Sequence, residues 1–180
     1  MESFLEEILY SHEEIVRQAE KMGNEISREY EGKTPILIGL LKGSVPFMAE
    51  LIKHITIDMQ IDFMKVSSYS GTKSTGSVHI LSDCSSSLKN RDVIIVEDII
   101  DTGLTLSEVK KVLLAKGANS VEFCTLLDKV EGREFKEINA KYVGFEVPNK
   151  FVVGFGLDYN EKYRNLPYIG VLKKEIYSNE

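Results

Sequence analysis

The sequence predicts an α/β fold on a mainly parallel sheet, and three observations predict it. Short apolar runs at Ile36-Leu37-Ile38-Gly39-Leu40-Leu41, Val93-Ile94-Ile95-Val96 and Val121 to Leu127 have the character of strands covered on both faces, as parallel strands are. Helical signals fall between them: Pro46 at a first turn leads Phe47 to Ile52, and Leu106, Val109, Val112 and Leu113 mark an amphipathic helix that stops before Gly117. The resulting β-α-β alternation places parallel neighbours in one sheet with helices on its faces.

The other elements follow in chain order. Two helices are expected to open the chain. Ser11 announces the second, with Glu14 three positions on as a capping box and Ile15, Ala19, Met22 and Ile26 at helical spacing. Ile57, Met59, Ile61 and Phe63 alternate with Asp58, Gln60 and Asp62, the pattern of a strand with one buried face. Ser67 to Gly76 breaks that order and reads as a mobile loop, either a hairpin tip or a lid, before strand resumes at Val78 to Leu81. Tyr142 to Val147 and Phe151 to Phe155 are two further expected strands. No repeat, low-complexity tract or linker divides the chain, so a single domain over residues 1–180 is expected.

Bulk properties narrow the function. With 180 residues, 43% of them hydrophobic, the chain can bury a sizeable core. A formal net charge of -6 argues against a nucleic-acid surface, which needs many Lys and Arg contacts with phosphate. One small anion, held by a few aimed amides and a metal ion, is compatible with that charge. Cys84 and Cys124 belong to no metal or redox pattern and read as reduced, ordinary residues. His12, His54 and His79 match no triad or metal spacing and take structural roles. The N-terminus shows no leader and no apolar run is long enough to span a membrane, so the expected location is the cytoplasm.

The most informative segment follows Val96. A hydrophobic strand gives way to two adjacent carboxylates, Glu97 and Asp98, then to a loop Asp101-Thr102-Gly103-Leu104-Thr105 and a helix. Thr105 with Glu108 forms a second candidate capping box, which would set free N–H groups and the positive end of the helix dipole around residues 102–105. A phosphate suits that place, and ligands of open α/β sheets bind beyond the carboxyl ends of the strands. An acidic pair is usually a solvated surface feature. Beside a phosphate cradle it would repel the anion unless a hard cation such as magnesium lay between them.

The stretch from Val93 to Thr105 resembles the phosphoribosyl-pyrophosphate motif of type I phosphoribosyltransferases. That resemblance implies the family's fold: a mainly parallel central sheet flanked by helices, with a small hood region. It also implies that Glu97 and Asp98 bind the ribose hydroxyls and magnesium. Asp101 would be the general base, and Asp101, Thr102, Gly103, Leu104 and Thr105 would hold the 5'-phosphate. Leu104 departs from members that carry a basic residue there.

The motif does not name the base, but other segments resemble the hypoxanthine-guanine branch. Leu41-Lys42-Gly43-Ser44 is similar to its pyrophosphate loop, although an ordinary strand-to-helix turn has the same composition. Lys129, in Leu127-Asp128-Lys129-Val130, would donate to the exocyclic oxygen of a 6-oxopurine. Lys150 to Glu161 matches the base-binding segment. There Phe151 would stack on the purine and Val152 would contact it through its backbone, while Asp158 would bind a second magnesium. Arg164 would reach the pyrophosphate, and Ser68-Tyr69-Ser70-Gly71-Thr72 would close over the site. Alone, Lys129 reads as a surface charge, Phe151 as a core aromatic and the 68–72 segment as a hairpin tip; their order from Ile36 to Arg164 favours the functional reading.

The implied activity is purine salvage, with Mg2+ as cofactor. The 5-phosphoribosyl group of phosphoribosyl pyrophosphate would pass to N9 of hypoxanthine or guanine, giving IMP or GMP and releasing pyrophosphate. The expected assembly is a homodimer or homotetramer, with no nucleic-acid or membrane partner. Alternatives are a regulator on the same fold and a phosphoribosyltransferase for another base. The first lacks a basic stripe, and Lys129, Phe151 and Asp158 jointly disfavour the second.

Overall fold

Residues 3–68 and 78–178 are described by the structure, a computed structural model. Tyr69, Ser70, Gly71 and Thr72 lie outside the described residues. The expected first helix is instead a strand, β1 (Leu5–Tyr10). It pairs antiparallel with residues near 170, in the register Leu5↔Leu172 and Ile8↔Gly170. Two glutamates and a helix-compatible composition are overridden by a partner some 160 residues away in the chain, a tertiary effect no local pattern encodes.

Helix α1 (His12–Glu29) begins at the expected capping box. Glu14 N–H donates to Ser11 Oγ at 3.3 Å, and Ser11 N–H donates to Glu14 Oε2 at 2.8 Å. Its buried face is Ile15, Ala19, Met22 and Ile26. Strand β2 (Ile36–Leu41) and helix α2 (Val45–Leu51), with Pro46 in its first turn, follow as expected, and a short 3-10 turn covers Ile52–His54. His54 lies 3.0 Å from Glu50, a structural pairing.

Strands β3 (Gln60–Ser68) and β4 (Val78–Ser82) form an antiparallel pair. Then come β5 (Asp92–Ile100), α3 (Leu104–Ala115), β6 (Ser120–Asp128) and β7 (Tyr142–Glu146). The central sheet has the order β4-β3-β2-β5-β6-β7, and every pair except β3/β4 is parallel. Alternation along β5 separates two cores. Ile94 and Val96 face Ile15, Met22, Phe47 and Leu51 from α1 and α2, while Val93 and Ile95 face Leu106, Val109 and Leu113 from α3. All four β5 side chains are fully buried, so truncating any of them to Ala should cost on the order of 2–4 kcal/mol.

The expected strand over Phe151 to Phe155 shortens to β8 (Val152–Val153). Positive φ at Gly154 (101), Phe155 (48) and Gly156 (104) turns the chain out of extended geometry. A strand and a helical turn without a clear signal in the sequence follow, β9 (Ile169–Leu172) and α4 (Lys174–Tyr177). Strands β1, β9 and β8 make a separate antiparallel sheet, the small hood, with its own core of Leu5, Val153 and Leu172.

Candidate active site

Strand β5 runs further than expected. Glu97 and Asp98 lie within it, paired beside β6 in the register Glu97↔Thr125, and not in the loop. The following turn delivers Gly103 as the residue that caps α3, at φ 89, where glycine has no steric penalty. The expected Thr105–Glu108 capping box does not form: the helix already starts at Leu104, which places Thr105 inside the first turn. Thr102 does the local work, its Oγ1 accepting from Leu104 N–H at 3.3 Å while its carbonyl accepts from Glu134 and Phe135 at 3.1 and 3.0 Å. The first-turn amides of α3 have no intrahelical acceptor, and beside this helix start lies a cavity of about 240 Å³ whose lining includes Glu97, Asp101, Thr102, Gly103 and Thr105.

Asp101 and Ile99 also line the next cavity, about 180 Å³, shared with Lys129, Phe151, Val152, Leu157 and Asp158. Lys129 Nζ is 3.5 Å from Asp101 Oδ2; the lysine side chain is 12% exposed and the aspartate 53%. The acid is therefore the more exposed of the two, while the lysine is set back in the wall. Phe151 is half-buried, stacked on Tyr177 at 4.9 Å and edge-on to Tyr159 at 5.7 Å. Behind the loop sits Arg133, which sequence reasoning missed. Its Nε donates to the Asp101 carbonyl at 3.0 Å, and its Nη2 pairs with the buried Asp128 carboxylate.

Lys42 and Arg164 come together on the other side of the acidic pair, lining a cavity of about 330 Å³ with Val45, Pro46, Gly156 and Asn165. Arg164 donates to the Gly156 carbonyl at 2.7 Å and pairs with Asp158 at 3.0 Å. Glu161, also absent from the expected set, pairs with both cations, at 2.7 Å to Lys42 and 3.2 Å to Arg164. These pairings hold its carboxyl below the usual range. Gly43 is packed so closely that an added Cβ would strike the Asp98 carboxylate, and one at Gly156 would strike the Gly43 carbonyl. The Leu41-Lys42 peptide bond is cis.

Burial pushes the Glu97 carboxyl well above its usual range, and the neighbouring Asp98 charge pushes the same way. Burial raises Asp98 too, against hydrogen bonds from Glu97 and the Ile99 amide and the pull of Arg164. Two close carboxylates that resist full ionisation suit a hard cation, which would relieve their repulsion. Among the described residues no group of three or more His, Cys, Asp or Glu side chains could hold a metal. Two adjacent carboxylates are the donor set of the mode in which a hard cation such as magnesium takes one or two protein carboxylates and completes its shell with other oxygens.

Most of the expected side chains thus meet along one edge, beyond the carboxyl ends of β2, β5 and β6. Tyr69 is outside the described residues, and Ser68 is the last described residue of β3. A larger groove of about 700 Å³, between α1 and Thr56–Ile57, contains none of the expected site residues. Among the described residues no helix is long and apolar enough to cross a membrane.

Comparison with known proteins agrees with this geometry. The family model described as the phosphoribosyl transferase domain matches residues 6–160. The hypoxanthine-guanine phosphoribosyltransferase of Streptococcus pyogenes is 54% identical over 179 residues, covering 99% of both chains. That of Lactococcus lactis is 55% identical, covering 99% of this chain and 97% of the other. The crystal structure of a hypoxanthine phosphoribosyltransferase from Staphylococcus aureus superposes with a TM-score of 0.93 at 50% identity, covering 97% of this chain and 95% of that one. With a phosphate-sized cradle at a helix start, an acidic pair beside it and relatives alike over their whole length, this chain belongs to the phosphoribosyl transferase family.

Proposed function

We infer that this protein is a purine-salvage hypoxanthine-guanine phosphoribosyltransferase, moving the 5-phosphoribosyl group of phosphoribosyl pyrophosphate to N9 of hypoxanthine or guanine. The products are IMP or GMP and pyrophosphate. The observation that carries the reading is the wall of Ile99 and Asp101 shared by the α3 cradle and the pocket of Lys129 and Phe151, in which Asp101 is the titratable residue. A ribose 5'-phosphate in the first and a purine in the second would meet at that residue.

Each residue then has a task. Asp101 accepts the purine N7 proton as N9 attacks, a general base's work. Lys129 donates to the 6-oxo group, Phe151 stacks on the ring and Val152 offers backbone contacts. The amides from Thr102 to Thr105 hold the 5'-phosphate, with Gly103 and Leu104 giving the backbone its turn into the helix. Lys42, the Gly43 amide and Arg164 hold the leaving pyrophosphate. Glu97 and Asp98 hold the ribose hydroxyls and Mg2+, and Asp158 a second ion. Bound magnesium would neutralise the charge that builds on pyrophosphate. Ser68 and Tyr69 begin the segment that would close over the site and exclude water. The working unit is one domain over residues 1–180, in a cytoplasmic homodimer or homotetramer, as the family resemblance implies.

The test is pyrophosphate release from phosphoribosyl pyrophosphate with hypoxanthine, guanine, xanthine, adenine and uracil offered separately, with and without a chelator. Turnover with the first two that stops on chelation is expected. Tight binding of phosphoribosyl pyrophosphate without turnover on any base would replace the enzyme with a regulator on the same fold.

A further inference from the structure

Glu161 sits at the tip of a tight turn. Tyr159 and Lys162 exchange backbone hydrogen bonds at 3.2 and 3.0 Å, and the two residues between them, Asn160 and Glu161, have φ of 49 and 62. Such a two-residue turn needs left-handed backbone at both positions, and its second position normally goes to glycine. A glutamate there is a poor choice for the backbone. It is nevertheless fixed in place, its amide donating to Asp158 Oδ2 at 2.9 Å. Its two carboxylate oxygens are divided between two partners, Oε2 taking Lys42 Nζ at 2.7 Å and Oε1 taking Arg164 Nη2 at 3.2 Å. Those are the two side-chain cations that hold pyrophosphate in the proposed function, and the role of Glu161 rests on that assignment.

We propose that Glu161 is a positioning residue that substitutes for pyrophosphate, bridging Lys42 and Arg164 while the anion site is empty and giving way when the pyrophosphate group arrives. Lys42 belongs to the β2–α2 loop and Arg164 to a loop more than a hundred residues later; the two loops meet where Gly156 packs on the Gly43 carbonyl, and the Glu161 side chain pairs with both cations. The carboxylate keeps them converged on one point. With 64% of its side chain exposed, Glu161 makes weak, solvent-screened pairs, and a multiply charged pyrophosphate displaces it readily. The same carboxylate competes for the cations after reaction and shortens the stay of the product. Glu161 therefore sets pyrophosphate affinity through its side chain, which is not part of the purine-pocket lining; only its backbone amide reaches that lining, at Asp158.

The experiment measures product inhibition by pyrophosphate, and KM for phosphoribosyl pyrophosphate and for hypoxanthine, in the full-length protein. Glu161→Gln keeps the side chain's shape and removes its charge. It should lower the inhibition constant of pyrophosphate about 3–10-fold, as expected for losing one or two exposed competing ion pairs. KM for phosphoribosyl pyrophosphate should fall with it, kcat should not rise, and KM for hypoxanthine should not move. Glu161→Gly, which also relieves the positive φ, should tighten pyrophosphate binding likewise and be at least as stable, so a folding defect in one variant does not obscure the result. Lys42→Gln and Arg164→Gln serve as the reference, and each should weaken pyrophosphate binding. If they do so while both Glu161 variants leave pyrophosphate inhibition unchanged or weaker, the proposal is overturned and the assignment of the two cations survives. If Lys42→Gln and Arg164→Gln have no effect either, that assignment falls and takes the proposal with it.

Discussion

The Lys129 ammonium lies 3.5 Å from the Asp101 carboxylate, in the wall of a pocket that Ile99, Phe151, Val152, Leu157 and Asp158 also line. In the proposed function a purine in this pocket would lie beside both groups, since both line it. Asp101→Asn should therefore lower turnover by roughly 10²–10⁴-fold, the usual worth of a general base, with phosphoribosyl pyrophosphate binding nearly intact. Single-turnover rates alongside calorimetric titration of phosphoribosyl pyrophosphate separate the two effects. An equal loss in both would mean that Asp101 builds the cradle and does not move the proton.

Lys129→Ala should raise KM for hypoxanthine and guanine and leave KM for phosphoribosyl pyrophosphate alone. A hydrogen bond from a charged group contributes about 1.5–3 kcal/mol, so the loss in kcat/KM should reach at least about tenfold. Competition between hypoxanthine and adenine reads the same quantity as a ratio, which should narrow in the variant. An unchanged ratio would show that the 6-oxo group is chosen by something other than this lysine.

Gly156→Ala should damage both stability and pyrophosphate binding. Its φ of 104 suits only glycine, and its new methyl would strike the Gly43 carbonyl in the facing loop. We expect a loss of more than about 1 kcal/mol in a denaturant titration, since Ala at an incompatible φ costs at least that. The Gly43 amide would shift as well, so KM for phosphoribosyl pyrophosphate should rise even at temperatures where the variant is folded.

Asp62 predicts an acid limb in stability. Burial opposes its charge, but backbone N–H groups of Phe63, Ser85 and Ser86 donate to it at 2.7, 2.9 and 2.8 Å and hold its carboxyl below the usual value. A carboxylate depressed in the folded state stabilises above its unfolded pKa of about 3.9, and that contribution disappears as pH falls through the lower folded value. Asp62→Asn should lower the denaturation midpoint at neutral pH and flatten its decline as pH falls below about 4. A midpoint that falls as steeply in the variant as in the parent would assign the acid limb to other carboxylates.

Sequence patterns reveal one half of this molecule better than the other, for a physical reason. Val93-Ile94-Ile95-Val96, the acidic pair and Asp101 to Thr105 are contiguous, so apolar runs and turn residues report them directly. Thr105 with Glu108 matched a capping box only because sequence does not show that Gly103 had already capped the helix. The hood is assembled from distant pieces. Leu5–Tyr10 becomes a strand only because Ile169–Leu172 lies beside it. Leu157 and Ile99 become pocket walls because of how two sheets meet, and Arg133 reaches the Asp101 carbonyl from a short turn after β6. None of these placements has a local signature.

The hood also fixes when the two halves of the site can exist. The α3 cradle and its acidic strand lie within residues 92–106, and the central sheet is complete once residue 146 has emerged. Phe151 and Val152 are held by a sheet whose middle strand, β9, is synthesised after every other part of the pocket. On a ribosome adding about 5–20 residues per second, a growing chain passes through a stage in which the residues of the α3 cradle have been made but the strand that holds Phe151 and Val152 has not. Only when β9 slips between β1 and β8 is the last wall of the Asp101–Lys129 pocket held in place.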